Sequence, residues 1–303
     1  MITRDLREFL AVANSAPTDF GPACTKAAFL VAPEQFVLAE QSASDNHYMD
    51  LAVTVDAPRA NAQHRGLQQA LARTLPTICF PGDARTPDAV FPNNVFATAP
   101  GRLILGHMRH PVRQRETERE DIRRFFTDVL GYTAIDLQRQ PGICELTGSL
   151  IIDHRRGLGF CGLSERCDAA GAAAMHEAFG LRATLLFDLA PGEYHSNVVL
   201  SVLAGRAAVI AVDGFADPAV ADAIAKVYAP HVLRLSREER LGFAGNCLAL
   251  APDQVWMSET AARSLTSANH KILAGAGFDV HSVPLDEIEK AGGSLRCCVA
   301  ELH

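Results

Sequence analysis

The chain has 303 residues, with 28 basic and 35 acidic side chains and a formal charge of −7. Hydrophobic residues make up 48% and charged residues 21%, the balance of a globular protein with a large core rather than a disordered, coiled-coil or collagen-like chain. A mildly acidic chain without a Lys/Arg run is a poor partner for nucleic acid, and no apolar stretch reaches the ~20 residues of a membrane span. The first residues carry acidic groups and no apolar run, so no signal peptide is expected. Eight cysteines without a CxxC pair argue against a disulfide scaffold and make a reducing cytoplasm the expectation. Eleven histidines without an HExxH or HxH grouping give no zinc signature.

Residues 1–26 read as an N-terminal helical extension, with Leu6, Phe9 and Leu10 on one face, followed by a linker. A lone apolar strand follows at residues 27–32, and the stretch from Leu67 to Cys79 reads as helix then strand. Four hairpins then recur. Each has a small or polar residue, an alternating apolar strand, a polar turn and a second strand, beginning at Asn94, Ser149, Asn197 and Asn246. These starts lie 55, 48 and 49 residues apart. Between hairpins the period changes to that of a helix. Ile122, Phe125, Phe126 and Val129 recur at i, i+3, i+4 and i+7 before Gly131. Asp217-Pro218 opens a second helix carrying Val220, Ile224 and Val227, and Ala261, Leu265 and Ile272 mark a third. Each connection ends in a further strand, at residues 134–137, 184–187, 232–235 and 280–283.

A fifth repeat begins at Gly292-Gly293-Ser-Leu-Arg-Cys297-Cys298 but lacks its second strand, which the lone strand at residues 27–32 is available to supply. Each ββαβ unit is too small to bury its own helix, so the units must pack around a shared axis. The expected fold is therefore α/β, one closed domain of five pseudo-symmetric modules over residues 27–303. In such a ring the residues at or near hairpin starts converge: Asn93, Asn94, Glu145, His195, Asn197, Asn246 and Cys297. That set holds a thiol, an imidazole, a carboxylate and several amides, which are the parts of a cysteine nucleophile with its base and orienting acid.

Five motifs in order resemble the pentein, or guanidino-group-modifying, superfamily over residues 27–303. They are Asp88-Ala-Val-Phe-Pro-Asn-Asn94, Glu145-Leu-Thr-Gly-Ser, Ser164-Glu-Arg166, Tyr194-His-Ser-Asn197 and Gly292-Gly-Ser-Leu-Arg-Cys297. The resemblance implies a five-bladed α/β propeller, with Cys297 as nucleophile, His195 as general acid and base, and Glu145 as its partner or a ligand of the substrate's terminal nitrogen. It further implies that Arg166 grips the substrate carboxylate and Asp88 its α-amino group, with Arg109 and Arg113 as candidates for a second arginine. Cys298 is expected to face away from the site if the segment is a strand.

Two positions depart from the deiminase pattern. Where that branch grips a guanidinium with paired carboxylates, this sequence carries Asn94 and Asn197. A buried guanidinium without counter-charge is costly, whereas amides match a neutral ureido group. The expected substrate is thus citrulline or a close analogue, a small-molecule amino acid, hydrolysed to ornithine, carbon dioxide and ammonia with no metal or cofactor required by any step. The alternatives are arginine dihydrolase, deiminase, dimethylarginine hydrolase or amidinotransferase chemistry, and a non-catalytic ribosome-binding propeller. A homodimer is compatible with all of these.

Overall fold

The computed structural model describes residues 1–34 and 36–303. Strand β1 (Ile2–Thr3) opens the chain, and β2 (Ala27–Val31) pairs in parallel with β3 (Thr77–Phe80). From there one pattern repeats: an antiparallel hairpin whose second strand takes up a third, parallel strand. It is built by β4 (Phe96–Ala99), β5 (Arg102–Leu105) and β6 (Thr133–Asp136), then by β7 (Leu150–Asp153), β8 (Leu158–Leu163) and β9 (Ala183–Asp188). The next two blades are β10 (Leu200–Leu203), β11 (Ala207–Ile210) and β12 (Val232–Arg234), and β13 (Leu248–Ala251), β14 (Gln254–Ser258) and β15 (Asp279–Val283). The last strand, β16 (Ala300–Leu302), pairs antiparallel with β2, with Ala300 opposite Phe29. The two ends of the chain thereby share the fifth blade, as the missing strand required.

First strands of successive blades touch, β16 against β4, β7 against β10 and β10 against β13. The residues just before these strands are therefore brought to one end of the shared axis. Four of those approaches are short helical turns rather than strand: Pro92–Asn94, Leu146–Ser149, Ser196–Val199 and Leu295–Cys298. Cys297 and Cys298 thus lie on a helical turn, so strand alternation does not decide which thiol faces the site. Cys298 is nonetheless fully buried, among apolar neighbours.

The helices form where their caps and apolar faces demand. Asp217 accepts from the Ala219 N–H and Pro218 opens the helix Pro218–Tyr228. An Ala-rich helix, Ala169–Phe179, which has no clear stripe in the sequence, is capped by Asp168 and stopped by Gly180 at φ +67°. Two helical expectations need correction. The helix from Glu120 widens into a π turn at Phe125–Val129, so Ile122 and Phe126 reach the core while Val129 is 70% exposed. The third helix is two, Glu259–Ser264 and Ser267–Gly275, because Thr266 starts a new cap on the Asn269 N–H.

At the N-terminus, Asp5 caps the helix Leu6–Ser15, whose Phe9 ring meets Phe160 edge-on at 5.4 Å. Strand β1 pairs parallel to β9, so this segment adds a fourth strand to the blade of β7, β8 and β9. Among the described residues no helix is long and apolar enough to cross a membrane.

Candidate active site

The blade approaches bring Glu145, His195 and Cys297 to the same end of the axis, each buried. Glu145 precedes the turn Leu146–Ser149 and His195 the turn Ser196–Val199, so backbone geometry rather than loop position aims both side chains inward. The Glu145 Oε2 lies 2.8 Å from His195 Nε2 and 3.1 Å from Arg166 Nη1, and Oε1 accepts from the Arg109 N–H at 3.2 Å. Burial alone would raise this carboxyl, but the Arg166 guanidinium, His195 and Arg113 outweigh it and hold Glu145 well below the usual carboxylate range. An ionised Glu145 can only accept, so His195 carries its proton on Nε2 and presents Nδ1 as the free nitrogen. Burial lowers the His195 pKa despite the hydrogen bond to Glu145. Its ring packs against Tyr194 at 4.5 Å, and the Tyr194 hydroxyl donates to the Gly292 carbonyl at 2.5 Å.

The Cys297 thiol sits between two carboxamides. Asn246 Nδ2 donates to Sγ at 3.3 Å and to the Asn197 carbonyl at 2.9 Å, while Asn246 Oδ1 accepts from the Cys297 N–H at 3.4 Å. The thiol is 3.8 Å from Asn197 Oδ1, which can accept its proton. Burial pushes the thiol pKa up, and the Asn246 donor pulls against it. Asn197 also donates to the Thr147 carbonyl at 3.4 Å, and it supports the thiol rather than lining the open cavity.

That cavity is lined by Ser42, Asp88, Asn94, Arg166, Tyr194 and Cys297, among others. Among the described residues, two cavity-lining side chains carry buried polar atoms without a partner, Asp88 Oδ1 and Asn94 Oδ1. His195 Nδ1, close to Asn94 across Gly148, is also unpartnered, as are both amide atoms of Asn93, which does not line the cavity. Buried polar atoms are almost always paired, so such a cluster around a thiol marks a place built for a polar ligand. Gly148 keeps the cluster together, because a Cβ there would lie 2.9 Å from both Asn94 Oδ1 and His195 Cε1.

Arg166 is not a free fork. Its Nε and Nη2 grip Asp45, Nη2 also meets the Ser42 carbonyl at 3.0 Å, and Nη1 holds Glu145. Of the two arginine candidates, Arg113 lines the cavity but is bound to Glu116 and the Phe91 carbonyl, whereas Arg109 lies 3.2 Å from Asp45. Sequence reasoning placed Asn246 at the right interval without giving it a role. It did not single out Ser42, Asp45 or Asn46, whose segment carries no periodicity or motif.

A family model described as "N,N dimethylarginine dimethylhydrolase, eukaryotic" matches residues 32–303. The chain belongs to this family, within the pentein superfamily. It is accordingly a hydrolase acting on C–N bonds, and the ribosome-binding alternative is set aside. Among curated relatives, the uncharacterized protein YkgA of Bacillus subtilis is 25% identical over 278 residues, 90% of each chain. The N(G),N(G)-dimethylarginine dimethylaminohydrolase of Mycobacterium tuberculosis is 26% identical over 261 residues, 85% of this chain and 80% of its own. The substrate-bound N-terminal domain of ArgZ, a cyanobacterial arginine dihydrolase, superposes with a TM-score of 0.78 at 20% identity, covering 91% of this chain and 97% of that domain. A dimethylarginine dimethylaminohydrolase bound as an adduct with S-methyl-L-thiocitrulline gives 0.72 at 21%, covering 92% and 100%. Both likenesses concern the fold. The chain spans 40% of the length of the full ArgZ chain.

Proposed function

We propose that this hydrolase cleaves the ureido group of citrulline or a close analogue, with Cys297 as nucleophile, His195 as acid and base, and Glu145 as the orienting carboxylate. The observation that carries the reading is the pair of unpartnered buried oxygens in the cavity beside the thiol, one of amide Asn94 and one of carboxylate Asp88. Glu145 is committed to Arg166, His195 and the Arg109 N–H. That leaves Asp88 Oδ1 as the carboxylate oxygen in the cluster without a partner, enough for one cationic group. The α-ammonium of an amino acid takes it. A guanidinium would then be buried with no counter-charge of its own, a cost of several kcal/mol. A neutral ureido group needs only donors and acceptors, which the Asn94 amide offers in the cavity.

In this mechanism the Cys297 thiolate attacks the ureido carbon, and the oxyanion meets the amides around it. The bond from carbon to the δ-nitrogen breaks as protonated His195 delivers its Nδ1 proton, so ornithine leaves and an S-carbamoyl enzyme remains. Neutral His195 then takes a proton from water as the water adds to the carbamoyl carbon. The thiolate is expelled with carbamate, which decomposes to carbon dioxide and ammonia. A pKa raised by burial leaves little thiolate at neutral pH, so the Asn246 donor and the arriving substrate must supply the activation. The eight cysteines are all free thiols, which suits a cytoplasmic enzyme.

The second reading is a guanidino substrate, arginine or dimethylarginine, favoured by the activities named for ArgZ and the mycobacterial relative. Citrulline, arginine and dimethylarginine offered separately to the purified chain decide between the two. Ornithine from citrulline, abolished in Cys297→Ser and retained in Cys298→Ser, supports the ureido reading. Turnover of arginine or dimethylarginine with inert citrulline overturns it.

A further inference from the structure

The segment at residues 42–49 forms part of the cavity wall, where Ser42, Asn46 and Met49 line it. At its centre is Asp45, whose side chain is 11% exposed. Arg166 Nε lies 2.9 Å from both Asp45 oxygens and Nη2 lies 2.5 Å from Oδ1. Arg109 Nε is 3.2 Å away and His110 Nε2 is 3.1 Å away. Three basic side chains from two blades thus converge on one carboxylate, in the forked geometry by which guanidinium groups recognise carboxylates. With Nη1 on Glu145 and Nη2 also on the Ser42 carbonyl, Arg166 has no grip left for a ligand while Asp45 stays in place.

The rest of the segment is held by separate contacts to neighbouring elements, each of which a ligand-driven release must break. The Ser42 hydroxyl donates to Asp88 Oδ2, and Asn46 Nδ2 reaches the Ala291 carbonyl at 3.4 Å. The Tyr48 hydroxyl donates to Glu193 at 2.9 Å and accepts from Arg240 at 2.7 Å. Beyond the helical turn Glu40–Ala43 its ordered contacts are an isolated β-bridge from Met49 to Ala291 and the packing of the Tyr48 ring on Tyr194 and Phe243. The Ser42 contact is itself on Asp88, the group assigned to the substrate's ammonium, so an amino acid would compete with this segment at both of its charged ends.

We infer that Asp45 is an internal stand-in for the substrate carboxylate, and that a free carboxylate taking over Arg109, His110 and Arg166 releases residues 42–49. Asp45 is then a specificity-determining residue. The exchange leaves the buried charge balance unchanged when the ligand has a carboxylate, whereas a ligand without one cannot displace Asp45 unless it leaves Arg166 unpaired. The inference rests on the reading of the substrate as an amino acid.

The test uses full-length Asp45→Ala and Asp45→Asn with ornithine as the binding probe and putrescine, its analogue without the carboxylate, as the control. In the parent chain, ornithine should raise amide exchange across residues 40–50 and putrescine should not. In Asp45→Ala those amides should exchange faster without ligand. Removing a competitor that occupies most of the population should tighten ornithine binding about tenfold and lower the citrulline KM by a like factor, with kcat within about twofold. Asp45→Asn should fall between the two. A KM or ornithine Kd that rises in Asp45→Ala, or exchange at residues 40–50 that stays unchanged, overturns the inference. Tighter ornithine binding in Asp45→Ala without turnover of citrulline would sustain the inference while refuting the proposed reaction. Ornithine binding to neither protein refutes both.

Discussion

Replacing Asn246 by alanine should cost the enzyme its thiolate. Asn246 Nδ2 is the hydrogen-bond donor that reaches Cys297 Sγ, at 3.3 Å, in a site where burial otherwise opposes ionisation. A hydrogen bond to a charged group contributes roughly 1.5–3 kcal/mol. Each ~1.4 kcal/mol is a factor of ten in an equilibrium constant, so the thiolate population at fixed pH should fall by about one to two powers of ten. The assay is the pH dependence of Cys297 alkylation by iodoacetamide, read alongside kcat/KM for citrulline. Both profiles should move to higher pH together, with KM little changed because Asn246 does not line the cavity. Asn246→Asp should be worse still, since a carboxylate beside the sulfur repels the thiolate. A profile for Asn246→Ala that superimposes on that of the parent chain would refute the reasoning.

Gly148→Ala drives a methyl to 2.9 Å from both Asn94 Oδ1 and His195 Cε1, so kcat should drop about a hundredfold, the scale of a ~1 Å misplacement, with the melting temperature nearly unchanged. In the helix before β6, Phe126→Ala should cost about 3–5 kcal/mol in urea unfolding, whereas Val129→Lys should stay within ~0.5 kcal/mol because that side chain is 70% exposed. The pH dependence of stability has a definite sign. The folded pKa of His195 and that of Glu145 are both depressed, so both contribute stability that is present above the unfolded pKa and lost as pH falls towards the folded one. Thermal unfolding from pH 8 to 3 should show losses beginning near pH ~6.5 for the imidazole and below ~4.3 for the carboxyl. His195→Asn should lessen the first and Glu145→Gln the second, while His64, His154, His176 and His303 keep their shares of the first and Asp45 and Glu239 theirs of the second.

The blade plan was legible because the signal is long-range and periodic. Hairpins about 50 residues apart, and an unpaired strand at each end, leave a ring closed by β2 and β16 as the consistent solution. The same spacing brought Glu145, His195, Asn246 and Cys297 to one end of the axis. What sequence did not show is local or non-periodic. A four-residue helical turn such as Leu295–Cys298 is too short to express a 3.6-residue period, so the approach to the thiol reads as strand in the sequence. The π turn at Phe125–Val129 adds one residue to a turn, which rotates Val129 out of a stripe it fits on paper. The segment at residues 42–49 has no pattern at all. Its role depends on Asp45 meeting Arg166 across 121 positions, a contact only the closed ring creates. Amide chemistry was likewise ambiguous by type: Asn94 faces the cavity and Asn197 the thiol, though both precede a first strand.

The central claim is a covalent carbamoyl intermediate on Cys297, and rapid acid quench followed by peptide mass spectrometry tests it most directly. With citrulline in excess, the peptide containing Cys297 and Cys298 should gain a carbamoyl group on the first thiol. The adduct should appear at the earliest quench times in the parent chain and be absent both from Cys297→Ser and from His195→Asn, which lacks the acid that releases ornithine. Ornithine released from citrulline with no adduct on Cys297, or an adduct formed from arginine alone, would contradict the account.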